Sequence, residues 1–283
     1  MTTRIESYRR AGWTFRVRDT GPIDGPVVVL LHGFPQTSSS WAAVAALLND
    51  RGVRTVAPDQ RGYSPEARPR GRFAYRSSEL TADIVALLGA IGRPVHLVGH
   101  DWGSRVAWAV AAERPDLVAT LTAVSVPHPA AFVRSMLHSD QAVRSYYMAM
   151  FQPPLLPELL IRNRPDIFYG LLGRSGMTPE MIDTVRREIV DTGALTGALN
   201  WYRGLPFSTP TDLRAVVSVP TTQVWSDGDT ALARAGAELS RDYVTGRYRL
   251  EVLAGASHWI PDERAADLAD IICDTAGFTT EAR

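Results

Sequence analysis

Short apolar segments alternate with amphipathic segments over the first 127 residues of the chain. The runs at 26–31 and 94–98 are continuously apolar, which is typical of strands buried on both faces of a sheet. The pattern predicts strands at 13–18, 26–31, 54–58, 94–98 and 118–126, and helices at 38–48, 78–89 and 102–113. Strand and helix in alternation predict an α/β fold whose mostly parallel central sheet is flanked by helices.

The alternation stops near residue 127 and resumes near residue 219. The intervening segment is punctuated by proline, contains no convincing buried strand and has a helical pattern. After it, the pattern predicts strands at 219–225 and 248–253 and helices at 231–243 and 262–275. Because one pattern is interrupted and then continued, we expect a core domain made of residues 1–127 and 211–283, with residues 128–210 inserted as a helical cap.

Composition narrows the class of protein. Thirty basic residues, all of them arginine, balance thirty acidic residues in the 283-residue chain, so no net charge would attract nucleic acid. Cys273 is the only cysteine, which excludes an internal disulfide. Neither a secretory signal nor an apolar run long enough for membrane insertion is evident, and we expect a cytoplasmic protein. The histidines lack the spacing of a zinc site, so we expect no metal and no cofactor.

The sequence Gly99-His-Asp-Trp-Gly103 lies between the predicted strand at 94–98 and the helix that follows. A tight strand–turn–helix connection of this kind exposes its central residue, Asp101, at the carboxyl edge of the sheet. Glycines at both ends suit a turn in which neighbouring backbone comes too close for side chains. The first amides of the helix favour an ionised Asp101. A simpler interpretation is that Asp101 only caps this helix.

Two later segments supply partners for Asp101. Asp229 follows the predicted strand at 219–225, and His258 follows the strand at 248–253, so that nucleophile, acid and base succeed one another along the chain. Asp229 is preferred to Asp227 because it lies farther past the end of its strand. In hydrolases with this arrangement, two backbone N–H groups form an oxyanion hole, here those of Phe34 and Trp102.

In combination, these motifs resemble the α/β hydrolases of the soluble epoxide hydrolase type over essentially the whole chain. The segments that carry the resemblance are His32-Gly-Phe-Pro35, Asp59-Gln-Arg-Gly62, Gly99-His-Asp-Trp-Gly103, Asn200-Trp-Tyr-Arg203, Asp229 and Gly255-Ala-Ser-His-Trp259. The resemblance implies an α/β-hydrolase fold and two cap tyrosines that protonate the epoxide oxygen. The matching positions are Tyr202 and Tyr147, with Tyr146 as the alternative to Tyr147.

A carboxylate nucleophile suits a saturated carbon that carries a leaving group. Attack by Asp101 gives an alkyl ester, which water activated by His258 can cleave while Asp229 orients the imidazole. An opened epoxide needs proton donors, whereas a halide leaves without a proton. The sequence therefore predicts an epoxide hydrolase that converts an epoxide and water to a vicinal diol, and the resemblance implies that this epoxide is a small hydrophobic molecule.

Other interpretations remain open at this stage. Haloalkane dehalogenases resemble the same core, but their usual asparagine is replaced by Phe34. Fluoroacetate dehalogenases usually have two arginines after the nucleophile, and only Arg105 matches, because Trp102 fills the first position. A ligand-binding protein that has lost catalysis is a further alternative. For the substrate pocket we expect Trp201, Trp259 and Met148, and a homodimer is compatible with the sequence.

Overall fold

The structure is a computed structural model, which describes residues 3–209 and 213–278. Its centre is an eight-stranded sheet with the order β1-β2-β4-β3-β5-β6-β7-β8. The strands are β1 (Ser7–Arg10), β2 (Trp13–Thr20), β3 (Val27–Leu31), β4 (Arg54–Pro58), β5 (Val95–His100), β6 (Val118–Val124), β7 (Thr221–Ser226) and β8 (Tyr248–Leu253). Strands β3 to β8 run parallel, and β2 is antiparallel to both of its neighbours. The prediction of a mostly parallel sheet is confirmed.

Helices cover both faces of the sheet and fill the chain between β6 and β7. They are α1 (Ala42–Asp50), α2 (Ser77–Ile91), α3 (Trp102–Glu113), α4 (Pro129–His138), α5 (Gln141–Arg144), α6 (Tyr146–Met150), α7 (Leu156–Asn163), α8 (Pro165–Arg174), α9 (Pro179–Val185), α10 (Leu195–Gly204), α11 (Arg234–Leu239), α12 (Ile260–Glu263) and α13 (Ala265–Ala276). Within the described ranges, no helix is both long and apolar enough to cross a membrane.

Four elements differ from their predicted form. The helix predicted at 38–48 is a short 3₁₀ turn, Ser38–Trp41, followed by α1. Strand β1 was not predicted, because its four residues, Ser-Tyr-Arg-Arg, contain a single apolar side chain. The helix predicted at 231–243 is the six-residue α11 followed by a short 3₁₀ turn, Ser240–Tyr243. The helix predicted at 262–275 is divided at Arg264, whose backbone leaves the helical conformation between α12 and α13.

One apolar core joins the sheet to the inserted helices. On one face of the sheet, buried residues of α2 and α3 belong to the same cluster as Phe168, Leu199 and Trp201 of the inserted segment. The other face packs against α1 and α13. Residues 129–204 are therefore fixed against the carboxyl edge of the sheet, above the turn that carries Asp101. The predicted boundary between residues 210 and 211 lies outside the described residues.

Candidate active site

Asp101 occupies a strained turn between β5 and α3. Its backbone has φ 52° and ψ −120°, a conformation that side-chain-bearing residues rarely adopt. Side chains at the flanking glycines are excluded by close backbone, since a Cβ at Gly103 would meet the carbonyl of Leu31 and one at Gly99 would meet Gly103 itself. The glycines thus permit a turn that holds the Asp101 carboxylate at the edge of the sheet.

Backbone amides stabilise the negative charge of that carboxylate. The N–H of Phe34 donates to Oδ1 of Asp101 over 2.8 Å. Burial by itself would raise the pKa of Asp101, but the neighbouring His258, together with the Trp102 amide, holds it below the ordinary value. Asp101 is therefore ionised at neutral pH. The two predicted oxyanion donors both lie beside it, Phe34 on the loop after β3 and Trp102 at the start of α3.

Asp229 and His258 lie together behind the nucleophile. Oδ2 of Asp229 is 2.7 Å from Nδ1 of His258, and its Oδ1 accepts hydrogen bonds from the amides of Ala231 and Leu232. The alternative acid, Asp227, instead accepts from the amide of Gly255. Asp229 is the carboxylate that the structure places against the histidine.

The other ring nitrogen of His258 faces the nucleophile. Nε2 lies 3.7 Å from Oδ2 of Asp101, a distance beyond direct hydrogen bonding. Burial disfavours a charged imidazole, but Asp229 and Asp101 outweigh that cost and raise the pKa of His258 to about 10. In the resting protein His258 is therefore an imidazolium between two carboxylates.

Two phenols project toward Asp101 from the inserted helices. Tyr147 lies on α6 and Tyr202 on α10, with 6.0 Å between their ring centres. Burial raises the pKa of both phenols, and the charge of Asp101 adds to the effect, so both stay protonated. Tyr146, the alternative to Tyr147, is 55% exposed. Tyr146 borders only the smaller of the two cavities described below, whereas Tyr147 borders both.

The arginine of the Asn200-Trp-Tyr-Arg203 segment anchors the helix that carries Tyr202. Arg203 forms two hydrogen bonds, of 2.7 and 2.8 Å, with the carboxylate of Glu158 on α7, and both side chains are buried. A paired, two-point contact of this kind fixes orientation as well as position. It therefore helps to hold Tyr202 at the site.

Two cavities meet at the reactive groups. One has a volume of about 380 Å³ and the other about 330 Å³. Among the residues that the structure describes, three line both of them, and these are Asp101, Tyr147 and Tyr202. Of the residues expected in the substrate pocket, Met148 lines the larger cavity and Trp259 the smaller one.

Trp201 corrects that prediction, because it lines neither of these cavities. Its indole N–H donates to the carbonyl of Arg61 over 2.7 Å, and its ring packs against Tyr63 and Trp102. Consecutive residues of a helix are separated by about 100°, so Trp201 lies on a different part of the α10 surface from Tyr202. Trp201 is a core residue that joins the inserted segment to the sheet.

Residues of α5 help to position the site, although no pattern in the sequence predicts this role. Gln141 accepts from the amide of Ala233 and donates to the carbonyl of Ala231, and Arg144 donates to the carbonyl of Asp229 over 2.6 Å. These contacts fix the loop after β7 that presents Asp229. They join distant parts of the chain, so no local pattern could have revealed them. Within the described ranges, no cluster of three or more metal-ligating side chains occurs.

Comparisons with known proteins agree with this geometry. A family model for the alpha/beta hydrolase fold matches residues 26–265. The chain is 34% identical to the AB hydrolase superfamily protein YfhM of Bacillus subtilis, over 93% of this chain and 94% of that protein. It is 33% identical to Epoxide hydrolase 3 of Xenopus tropicalis, over 93% of this chain and 75% of that protein. The crystal structure of Epoxide Hydrolase A from Mycobacterium thermoresistibile superposes with a TM-score of 0.82 at 29% identity, covering 96% of this chain and 98% of that one.

This chain itself has the parallel sheet, the strained turn after β5 and the histidine after β8 that its sequence predicts. The chain therefore belongs to the α/β-hydrolase family and, within it, to the epoxide hydrolase type. The predicted fold family is confirmed.

Proposed function

We propose that this protein hydrolyses an epoxide to a vicinal diol through an alkyl ester on Asp101. The observation that carries the proposal is the meeting of an ionised carboxylate and two protonated phenols at the junction of two cavities. We assign the chemistry to a core of residues 1–127 and 211–283 and the phenols to a cap of residues 128–210.

In the first step, Asp101 attacks one carbon of the epoxide ring. With Oδ1 held by the Phe34 amide, Oδ2 forms the new C–O bond while the ring C–O bond breaks. The departing oxygen takes a proton from Tyr147 or Tyr202, whose raised pKa values keep that proton available. His258, the imidazolium that faces the nucleophile, supplies the proton that restores the phenol.

Ester formation changes the charge around His258. Before the reaction, two carboxylates raise its pKa, and afterwards only Asp229 still carries a charge. The imidazole therefore becomes neutral and can accept a proton from water. The 3.7 Å between Nε2 and Asp101 is suited to a water molecule directed at the ester carbon.

In the second step, water attacks Cγ of Asp101 as His258 takes its proton. The negative charge that develops on Oδ1 is stabilised by the N–H groups of Phe34 and Trp102. Collapse of this intermediate breaks the bond between Cγ and Oδ2, and Oδ2 leaves with the alkyl group while taking the proton of the newly added hydroxyl. The diol is released, and the Asp101 carboxylate and the His258 imidazolium are restored. Asp229 orients the ring and stabilises its charged form throughout.

The cavity walls support a hydrophobic epoxide as substrate. The larger cavity is bordered by Phe132, Met136, Leu205 and Leu232, and the smaller one by Phe151, Leu172 and Trp259. Apolar walls with a few convergent polar groups are typical of sites for small apolar ligands. The paired phenols favour an epoxide over a haloalkane, since a halide needs no proton.

Single-turnover hydrolysis in ¹⁸O-labelled water tests the proposal. With enzyme in excess over an aryl epoxide, the label should enter the Asp101 side chain, and the first diol should be unlabelled. The Asp101→Ala variant should release no diol. Label found in the first diol would refute the ester route, and halide release from a chloroalkane that exceeded diol release would favour a dehalogenase.

A further inference from the structure

His100 is a completely buried histidine that no step of the proposed reaction uses. It is the last residue of β5, directly before the nucleophile, and its exposed fraction is 0%. Its Nε2 lies 2.9 Å from the backbone carbonyl oxygen of His258. Its Nδ1 is buried and has no hydrogen-bond partner among the residues that the structure describes.

The protonation of His100 follows from these contacts. A carbonyl oxygen can only accept, so Nε2 must carry the proton and donate it. Burial lowers the pKa of His100 to about 4, which keeps the ring neutral at physiological pH. In this tautomer Nδ1 is an acceptor without a donor. The arrangement is a single hydrogen bond directed at the loop that carries the base.

Two serines act on the same loop. The hydroxyl of Ser125, just after β6, lies 3.3 Å from the same carbonyl of His258. The hydroxyl of Ser226, at the end of β7, donates to the carbonyl of Ser257 over 2.7 Å. Three adjacent strands thus each direct one donor to the backbone of residues 257–258. The loop that presents His258 is held from the sheet rather than only by its own turn.

A histidine at position 100 carries a cost that an apolar residue would not. Leaving a buried polar atom without a partner destabilises the folded protein, and methionine would fill a similar volume without such an atom. The Nε2–H bond to the His258 carbonyl is the one polar contact of the side chain that offsets this cost. The geometry therefore points to a role for that bond in the placement of His258.

We propose that His100 is a positioning residue for the base: its Nε2–H fixes the backbone of His258 and so the distance from the imidazole to the ester on Asp101. The inference rests on the proposed two-step function. Breaking of the epoxide ring involves Asp101 and the phenols, and His258 only returns a proton to the phenol afterwards. Ester hydrolysis instead requires His258 to direct a water molecule at one carbon atom. Loss of the His100 bond should therefore slow the second step selectively.

The test separates the two steps. Wild type, His100→Met and His100→Gln are mixed with styrene oxide in single turnover, quenched, and analysed by intact mass for the rise and decay of the protein–substrate ester. Methionine removes the donor, and glutamine restores an N–H near the position of Nε2. His96→Met, on the same strand but away from the site, is the matched control for loss of an imidazole.

We expect ester decay in His100→Met to slow about 10- to 100-fold, with ring opening within threefold of wild type, and His100→Gln to recover most of the loss. Equal slowing of both steps, unchanged decay, or no recovery with glutamine would overturn the inference. If His100→Met does not fold, Ser125→Ala is measured instead, because it removes the second donor to the same carbonyl. Decay of the ester must then slow at least threefold, and unchanged ester decay refutes the positioning role. A wild type that forms no ester with any epoxide would instead refute the proposed function.

Discussion

Replacing Asp229 by Asn tests the electrostatics of the site most directly. Two unit charges 2.7 Å apart, as Asp229 and the His258 imidazolium are, attract by about 6 kcal/mol at an effective dielectric constant of about 20. Asparagine retains a dipole and therefore part of this stabilisation. A loss of about 4 kcal/mol corresponds to a roughly thousandfold lower rate for any step that requires the charged histidine.

Asparagine also alters the protonation of His258. The amides of Ala231 and Leu232 occupy the oxygen of the side chain, so the amide N–H₂ of Asn would face Nδ1 of the ring. Nδ1 must then accept, which places the proton on Nε2 and leaves that nitrogen unable to take one from water. We therefore expect the ester on Asp101 to accumulate in Asp229→Asn.

The matched control is Asp227→Asn, the same chemical change two residues away, at a carboxylate that accepts only from the Gly255 amide in the described contacts. Steady-state diol release and intact mass during turnover are measured for both variants. We expect kcat to fall about a thousandfold in Asp229→Asn, with an adduct of enzyme plus epoxide, and to fall less than fivefold in Asp227→Asn. Similar losses in both variants, or full activity in Asp229→Asn, would show that Asp229 does not control the base.

Three further predictions follow from the site and its surroundings. In rapid-quench measurements, Tyr202→Phe and Tyr147→Phe should each slow ring opening about 10- to 100-fold and leave ester decay unchanged. The control variant Tyr146→Phe should stay within twofold of wild type. Slower ester decay in the first two variants would contradict their assignment as proton donors in ring opening. Burial lowers the pKa values of His100 and His128 to about 4. Below pH 6.5 the unfolded chain therefore binds more protons at these two residues than the folded protein does. The free energy of unfolding, measured by urea titration, should fall as the pH is lowered from 6.5 to 4.5. A stability that rises toward pH 4.5 would refute this. Because two cavities meet at the nucleophile, epoxides with apolar substituents on both carbons should show a higher kcat/KM than singly substituted ones, and the reverse order would argue against both cavities holding substrate.

Much of the fold is predictable because its main signals are local. Continuous apolar runs identify β3 and β5, and every residue of β3 is indeed buried. Strand β1 could not be predicted from the sequence because it is short and mostly polar. The hairpin that joins it to β2 turns at Ala11 and Gly12 rather than at a typical Asn-Gly pair. Its pairing with β2 is what stabilises it.

From the order of strands and helices alone, the site is predictable only where its residues follow strand ends. Asp101, Asp229 and His258 each come after a parallel strand, and such strands end at one edge of the sheet. The roles of His100 and Gln141 depend on contacts with distant loops that no spacing encodes. The two cavities are likewise a product of how the inserted helices pack, which explains why Trp201 could not be separated from true cavity residues in advance.

An aspartate nucleophile changes when the histidine must act as a base. A neutral serine needs a base from the outset, because its hydroxyl proton has to leave as the bond forms. Asp101 is already charged, and its charge is one of the causes that keep His258 protonated. Water that enters before substrate therefore meets an imidazolium, which cannot take a proton from it. The bond between Asp101 and the alkyl group removes that charge, so the same event that creates the ester also creates the base that cleaves it.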